Sequence, residues 1–579
     1  MKRLAIWSVV ALLSASAAQA QTSAGSPDTI YIHGNIYTGA TLAPAAGGAS
    51  PGLKAAILPR TQALAVRGDR LVAVGTDAEI SKLKGKHTQV IDLGGHFVMP
   101  GFNDAHTHLA SGGFVKLNVD LTGANSLDEM KSRIAARAKA AAPGEWIQGG
   151  GWDHTLWPGQ KLPTRQDVDV VTGDHPALFE RVDGHISLAN TAALRAAEIT
   201  RETPDPPGGK IDREASGEAA GILRESSAVN LVASKIPKPG PSQRRQAILL
   251  ALQDAARWGI TSAQDYSDWE DFLVYEDLER EGQLTLRISE WPPFPTALNV
   301  LEQHRAHHPE SDTMLHTGML KGFMDGSLGS RTATLIKPYS DDPQNTGLAQ
   351  YTQTQLNSLI DDRAAAGFQV GFHAIGDRGI EMALQAFAEA ERYLREHQTG
   401  MPNPRREDHR WRIEHAQVVA TDQFTRFRQL GVIASMQPNH LLTDMKWAVD
   451  RIGEERARHS YPWAEFLRNG VYLAFGTDYP VEPIAPFRGL YAAVTRKNEA
   501  GTKEYFPEQK LTMDEALAAY TSGAAYAEFA ENDKGTLNPG KLADFVVLDR
   551  DLTGVAPAEV LTTRVLRTVI GGKTVFEAK

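Results

Sequence analysis

Thr354 to His373 reads TQLNSLIDDRAAAGFQVGFH, and this stretch decides the fold. Thr354 to Ala366 suits a helix, and Gly367 supplies the left-handed residue that ends one. Gln369 to Phe372 then suits a short strand, tipped by the polar His373. The plan recurs twice. Asp422 to Leu430, Gly431 and Val432 to Met436 are tipped by Gln437, and Pro462 to Arg468, Gly470 and Val471 to Phe475 by Thr477-Asp478. Apolar runs of this length suit parallel strands buried on both faces. Repeated helix–glycine–strand units predict an α/β fold, a (β/α)8 TIM barrel with reactive groups at the C-terminal strand ends.

Outside that rhythm the texture changes. From Thr29 to Met99 short alternating strands flank tight turns, with hairpins expected about Gly68-Asp69 and about Gly94-Gly95. Similar strands return at Asp544 to Leu548, Val565 to Ile570 and Lys573 to Phe576, the last two around Gly571-Gly572. Two β-rich ends predict one small β-sandwich domain built from residues 27–98 and 536–579, around a barrel over 99–535. Ala40 to Leu53, rich in Ala, Gly and Pro, reads as a flexible excursion. Gly112 to about Gly240 is irregular and reads as an insertion after the first barrel strand. It holds a helix from Ser126, with Glu129 in capping-box register, to Ala141.

Met1-Lys2-Arg3, the apolar Leu4 to Leu13 and Ala18-Gln19-Ala20 together read as a signal peptide over residues 1–20. Its removal takes away two basic residues, so 58 basic against 70 acidic residues leave −12. No basic stripe stands out, which argues against a nucleic-acid partner. Zero cysteines exclude a disulfide framework and a lipoprotein anchor. No later apolar run is long enough to cross a bilayer. The mature protein is expected in the periplasm or secreted, without membrane association, and as a homo-oligomer.

The polar strand tips carry the chemistry. His106-Thr107-His108 ends the first barrel strand and projects two imidazoles to one side, as two ligands of one cation require. Lys321 lies in the apolar-rich Met319 to Met324, His373 and His415 end later strands, and Asp478 follows Gly476-Thr477. In a barrel these tips converge on one axis. Four imidazoles, a lysine and a carboxylate are the parts of a two-metal hydrolytic site, with zinc the expected ion. Burying the charge of Lys321 is costly without a partner.

These motifs resemble the metal-dependent amidohydrolase superfamily, and within it the amidohydrolase 3 group that includes N-substituted formamide deformylases. They are Pro100-Gly101-Phe102-Asn103-Asp104-Ala105-His106-Thr107-His108, Lys321-Gly322-Phe323-Met324-Asp325-Gly326-Ser327, His373-Ala374-Ile375-Gly376-Asp377, Ile413-Glu414-His415, Gly476-Thr477-Asp478-Tyr479-Pro480 and the late Asn538 to Asp544. The resemblance implies that carbon dioxide carboxylates Lys321, whose carbamate bridges two divalent ions. His106, His108 and Asp478 would complete one shell, and His373 with His415 the other. A lysine paired with an acid beside a single metal is the competing reading.

On that basis a metal-activated hydroxide attacks a polarised carbonyl, and Asp478 moves the proton from water to the leaving amine. The expected substrate is a small N-substituted formamide or other amide. Trp152, with Trp157, could line its pocket or simply pack a core. His185, in Arg181-Val182-Asp183-Gly184-His185, is a candidate for reaching substrate. His440 is either a substrate contact or a solvated loop histidine, and Arg331 either donates to a substrate oxygen or lies on the surface. Lactone, ester or cyclic-amide hydrolysis on the same metals is the competing activity, and an inactive exported binding or regulatory protein the competing class.

Overall fold

A computed structural model describes residues 25–44, 52–181, 186–206, 209–397 and 408–579. The signal segment and His185 lie outside the described residues. The chain is α/β. At its centre stand β1 (Phe102–Thr107), β2 (Ile260–Asp265), β3 (Arg287–Glu290), β4 (Leu315–Thr317), β5 (Leu320–Phe323), β6 (Val370–Ala374), β7 (Arg412–His415), β8 (Ile433–Met436) and β9 (Leu473–Phe475). They form two parallel sheets, in the orders β4-β3-β2-β1 and β5-β6-β7-β8-β9.

The two sheets meet at both edges. Lys321 donates its backbone N–H to Pro292 (3.0 Å) and accepts from Phe294 (2.8 Å). On the opposite side Asp478 N–H donates to His106 O (2.8 Å) and His108 N–H to Tyr479 O (2.8 Å). Helices α1 (Trp269–Arg280), α2 (Leu298–His307), α3 (Gln353–Ala365), α4 (Asp377–Glu396), α5 (Gln423–Gln429) and α6 (Trp463–Arg468) connect the strands. Thr352 caps α3 in a full capping box with Gln355, so the helix starts at Gln353, one residue earlier than read. Gly367 follows at φ 75° and Gly470 at φ 78°, the left-handed conformation that ends each helix and lets the next strand start.

Strands from the two ends of the chain pair directly. Phe545–Leu548 runs antiparallel to Phe97–Pro100 and to Val565–Ile570, which forms the expected hairpin with Lys573–Glu577. A second sheet, Arg70–Gly75, Ala63–Arg67, Thr29–Ile32 and Gln89–Asp92, shares a core of Tyr31, Leu64, Val98, Phe545 and Val569 with the first. The hairpin expected at Gly94-Gly95 is not formed. Gln89–Asp92 pairs with Thr29–Ile32, and Phe97–Pro100 with strands of the other sheet, so that turn carries the chain between sheets. The two ends of the excursion from Ala40 are strands, and residues 45–51 between them lie outside the described residues. Ala40–Pro44 and Leu53–Ile57 form an antiparallel pair whose Leu42 and Leu53 enter the main core.

The insertion is a sheet of its own. Six strands between Val119 and Arg224 pack with helices around two separate apolar clusters. The strand Ile147–Trp152 carries Gly149-Gly150-Gly151, which hides the usual alternation. A Cβ at Gly149 would stand 2.4 Å from Val119 O, so only glycine permits this strand pairing. Ser126 caps Leu127–Ala140, accepting from Glu129 N–H at 3.1 Å.

Candidate metal centre

The strand ends bring the expected groups together. Asp104, two residues before His106, accepts from Thr477 N–H (2.8 Å) and Thr477 Oγ1 (2.6 Å), fastening β1 to the segment that presents Asp478. Asp265 at the tip of β2 accepts from Leu109 N–H (2.7 Å) and Tyr275 OH (2.9 Å), which fixes the turn beyond His108. His415 and Asp478 themselves sit at φ 72° and 59°, a left-handed backbone that β-strand pairing does not require. Strained backbone at strand ends that present polar groups is a mark of function.

The imidazoles and carboxylate form a compact cluster. Asp478 Oδ1 lies 3.2 Å from His108 Nε2 and 3.6 Å from His106 Nε2, and Oδ2 lies 3.0 Å from His440 Nε2. The His415 ring centroid is 5.0 Å from His106 and 4.4 Å from His373. Two donor groups are close enough to share an ion each: His106, His108 and Asp478, and His415, His440 and Asp478. Buried His415 Nδ1 has no hydrogen-bond partner. An orphaned buried nitrogen among imidazoles and a carboxylate fits a divalent cation.

Glu414 decides the tautomer of His106. Its Oε2 lies 2.7 Å from His106 Nδ1, which must donate, so Nε2 keeps its lone pair towards the cluster. Arg412 Nε holds the other Glu414 oxygen at 2.9 Å, and its remaining donors reach Gln264, Ala105 O and Ser435. Residues 412 and 414 share the side of β7 opposite Ile413, which puts this pair beneath the cluster.

Lys321 is 1% exposed, and its Nζ lies 3.0 Å from His106 Nε2. Among the described residues no carboxylate stands within ion-pair reach of it. Phe323, Trp291 and Tyr266 surround the amine, with ring centroids at 5.0, 5.6 and 6.0 Å. Burial pulls its pKa down to about 8, against the field of Glu414 and Asp478. Burial, reinforced by Lys321, lowers His373 to about 4. It drives His106 and His415 well below the usual imidazole value. Burial alone would raise Asp478, but the neighbouring His106 and hydrogen bonds with His108 and His440 hold it well below the carboxylate range. His106, His373 and His415 are therefore neutral at neutral pH and Asp478 is ionised, the protonation states that ligation needs, while Asp478 raises His440 against burial.

Some expectations change. His440, the first turn of a short helix after β8, reaches Asp478 rather than solvent. His373 stands beside His415, yet its Nε2 faces Gly326 O at 3.2 Å. Trp152 is not a pocket wall. It is fully buried in the insertion's own core, and its Nε1 donates to Phe179 O at 2.9 Å. Arg331 Nε and NH2 both engage Asp341, at 3.1 and 3.0 Å, which fixes it in a partly exposed ion pair. Glu414, Arg412 and Trp291 are the neighbours that sequence reading missed. A glutamate two places after an arginine on an apolar barrel strand was the available signal.

Buried imidazoles, an ionised carboxylate and a buried lysine thus meet at parallel strand ends as a candidate metal centre. The sequence model described as "Amidohydrolase family" (its third group) matches residues 89–576, and the chain belongs to that family. It is accordingly an enzyme, a hydrolase of carbon–nitrogen bonds. Protein LONG AFTER FAR-RED 3 of Arabidopsis thaliana is 34% identical over 90% of this chain and 89% of its own length. The N-substituted formamide deformylase of Arthrobacter pascens is 27% identical over 89% of this chain and 95% of its own. Among solved structures, an uncharacterized metal-dependent hydrolase from Pyrococcus furiosus matches with a TM-score of 0.73 and 29% identity, over 91% of this chain and 99% of that one.

Proposed function

We propose that the chain is an exported metal-dependent amidohydrolase that cleaves a small amide, with N-substituted formamides as the leading class. The observation that carries this reading is Lys321, a buried amine 3.0 Å from His106 Nε2 with no carboxylate within ion-pair reach among the described residues. Carboxylation would turn that uncompensated cation into an anion beside two cations. An amine lowered to about 8 is neutral often enough to react with carbon dioxide. The two parallel sheets, joined by hydrogen bonds at both edges, support one closed (β/α)8 barrel over residues 99–535. The pairing of Phe97–Pro100 with Phe545–Leu548 supports a β-sandwich built from both ends of the chain.

In this reading His106, His108 and Asp478 would hold one zinc ion and His373 with His415 a second, with a modified Lys321 contributing to both. When bound, they supply Lewis acidity and activate water near neutral pH. The chain's own contribution is proton transfer and exclusion of water. Asp478 accepts a proton from the attacking water and returns it to the amine nitrogen as the C–N bond breaks, leaving a carboxylic acid and an amine. His440 Nε2 anchors one Asp478 oxygen during this exchange. Trp291, Tyr266 and Phe323 wall the Lys321 side and keep the local dielectric low.

The deformylase relative supports the formamide class. Protein loaded with zinc and bicarbonate should release amine from N-substituted formamides faster than alcohol from matched formate esters. Turnover of esters or lactones alone would overturn the amide assignment. Export is carried by residues 1–20, and the mature protein is read as a homo-oligomer.

A further inference from the structure

A second imidazole cluster lies between two helices, apart from the residues of the candidate metal centre. Glu276 on α1 faces His307 and His308 at the end of α2, and the three offer ligand atoms within 4.8 Å of one another. His307 Nε2 stands 3.0 Å from Glu276 Oε2. His308 Nε2 stands 3.8 Å from the same oxygen, and this buried nitrogen has no hydrogen-bond partner.

His308 is also oriented from behind. Its Nδ1 lies 2.6 Å from Oε1 of Glu290, a fully buried carboxylate at the end of β3, so Nδ1 must donate. Thr317 Oγ1 steadies the second Glu290 oxygen at 3.3 Å. A carboxylate fixing one ring nitrogen while the other, without a hydrogen bond, faces a carboxylate and a second imidazole is how proteins orient a metal-ligating histidine. Trp269 forms an apolar wall, stacked on His304 at 3.5 Å with the His308 ring 5.4 Å away. Solvent reaches the cluster through the half-exposed His307, which gives an ion an entry path.

We infer that Glu276, His307 and His308 form a second metal site, taking a zinc-like divalent cation and clamping α1 to α2. Two imidazoles and a carboxylate are borderline donors suited to zinc, with water left to complete a tetrahedral shell. Glu276 and Glu290 supply two negative charges about the dication.

The test is equilibrium dialysis of the whole protein against buffered free Zn2+, with metal content measured for wild type, His307→Ala and Glu276→Gln. Both substituted side chains are partly exposed, so the fold should survive. Each variant should bind one zinc equivalent fewer, or bind it at least tenfold more weakly, while retaining the zinc that His106→Ala removes. Glu290→Gln should weaken the same equivalent by about 10–100-fold. Identical zinc isotherms for wild type, His307→Ala and Glu276→Gln would overturn the site.

Discussion

Glu414 shows how one side chain can set the chemistry of another. Its carboxylate forces the proton of His106 onto Nδ1 and frees Nε2, while Arg412 and the protein core hold it in place. Glu414→Gln should therefore weaken metal binding by about 10–100-fold without removing any ligand. Metal titration checks this, and wild-type affinity in the variant would show that His106 is oriented by something else. That these side chains would meet was legible, because imidazole pairs and a lysine among apolar neighbours carry a cost that needs a reason. Glu414 was not, because a glutamate between Ile413 and His415 looks like punctuation until the β7 pleat puts it under His106. Trp152 failed for the opposite reason. An aromatic near a predicted active-site mouth fits a pocket and a core equally well, and only burial separates them.

Between elements, Arg287 on β3 and Asp544 before Phe545–Leu548 form the connection that ties the late segment to the centre. Arg287 Nε and NH2 reach the two Asp544 oxygens at 2.6 and 3.0 Å, and Gly571 N–H donates to Oδ1 at 2.7 Å. Both partners are buried. Asp544→Ala would leave a guanidinium without its counter-charge and should cost about 3–5 kcal/mol. Denaturant unfolding measures it, and a change below about 1 kcal/mol would make the pair decorative. Asp544 stood in a motif visible in the sequence, but its partner is 257 residues away and no local pattern could name it. The same limit explains the Gly94-Gly95 turn. Two glycines state that the chain turns there, not which sheet receives the next strand. In the insertion, Gly149 to Gly151 erase the alternation that makes strands readable.

At the scale of the whole molecule, the helix–glycine–strand rhythm from Thr354 to Asp478 forecast the parallel strands and their polar tips because each unit is locally consistent. Export belongs to this scale too: N-terminal sequencing of protein from the source cell should begin at Gln21, and an intact Met1 on the mature protein would refute it. We propose that strand ends scattered from His106 to Asp478 assemble one two-metal centre around a modified Lys321. Anomalous diffraction at the zinc edge, on crystals grown with zinc and bicarbonate, tests it most directly. The account predicts two zinc peaks about 2.0–2.3 Å from the ligand atoms of His106, His108, His373, His415 and Asp478, joined by density extending beyond Lys321 Nζ. An unmodified Lys321 with no zinc beside these residues would contradict it.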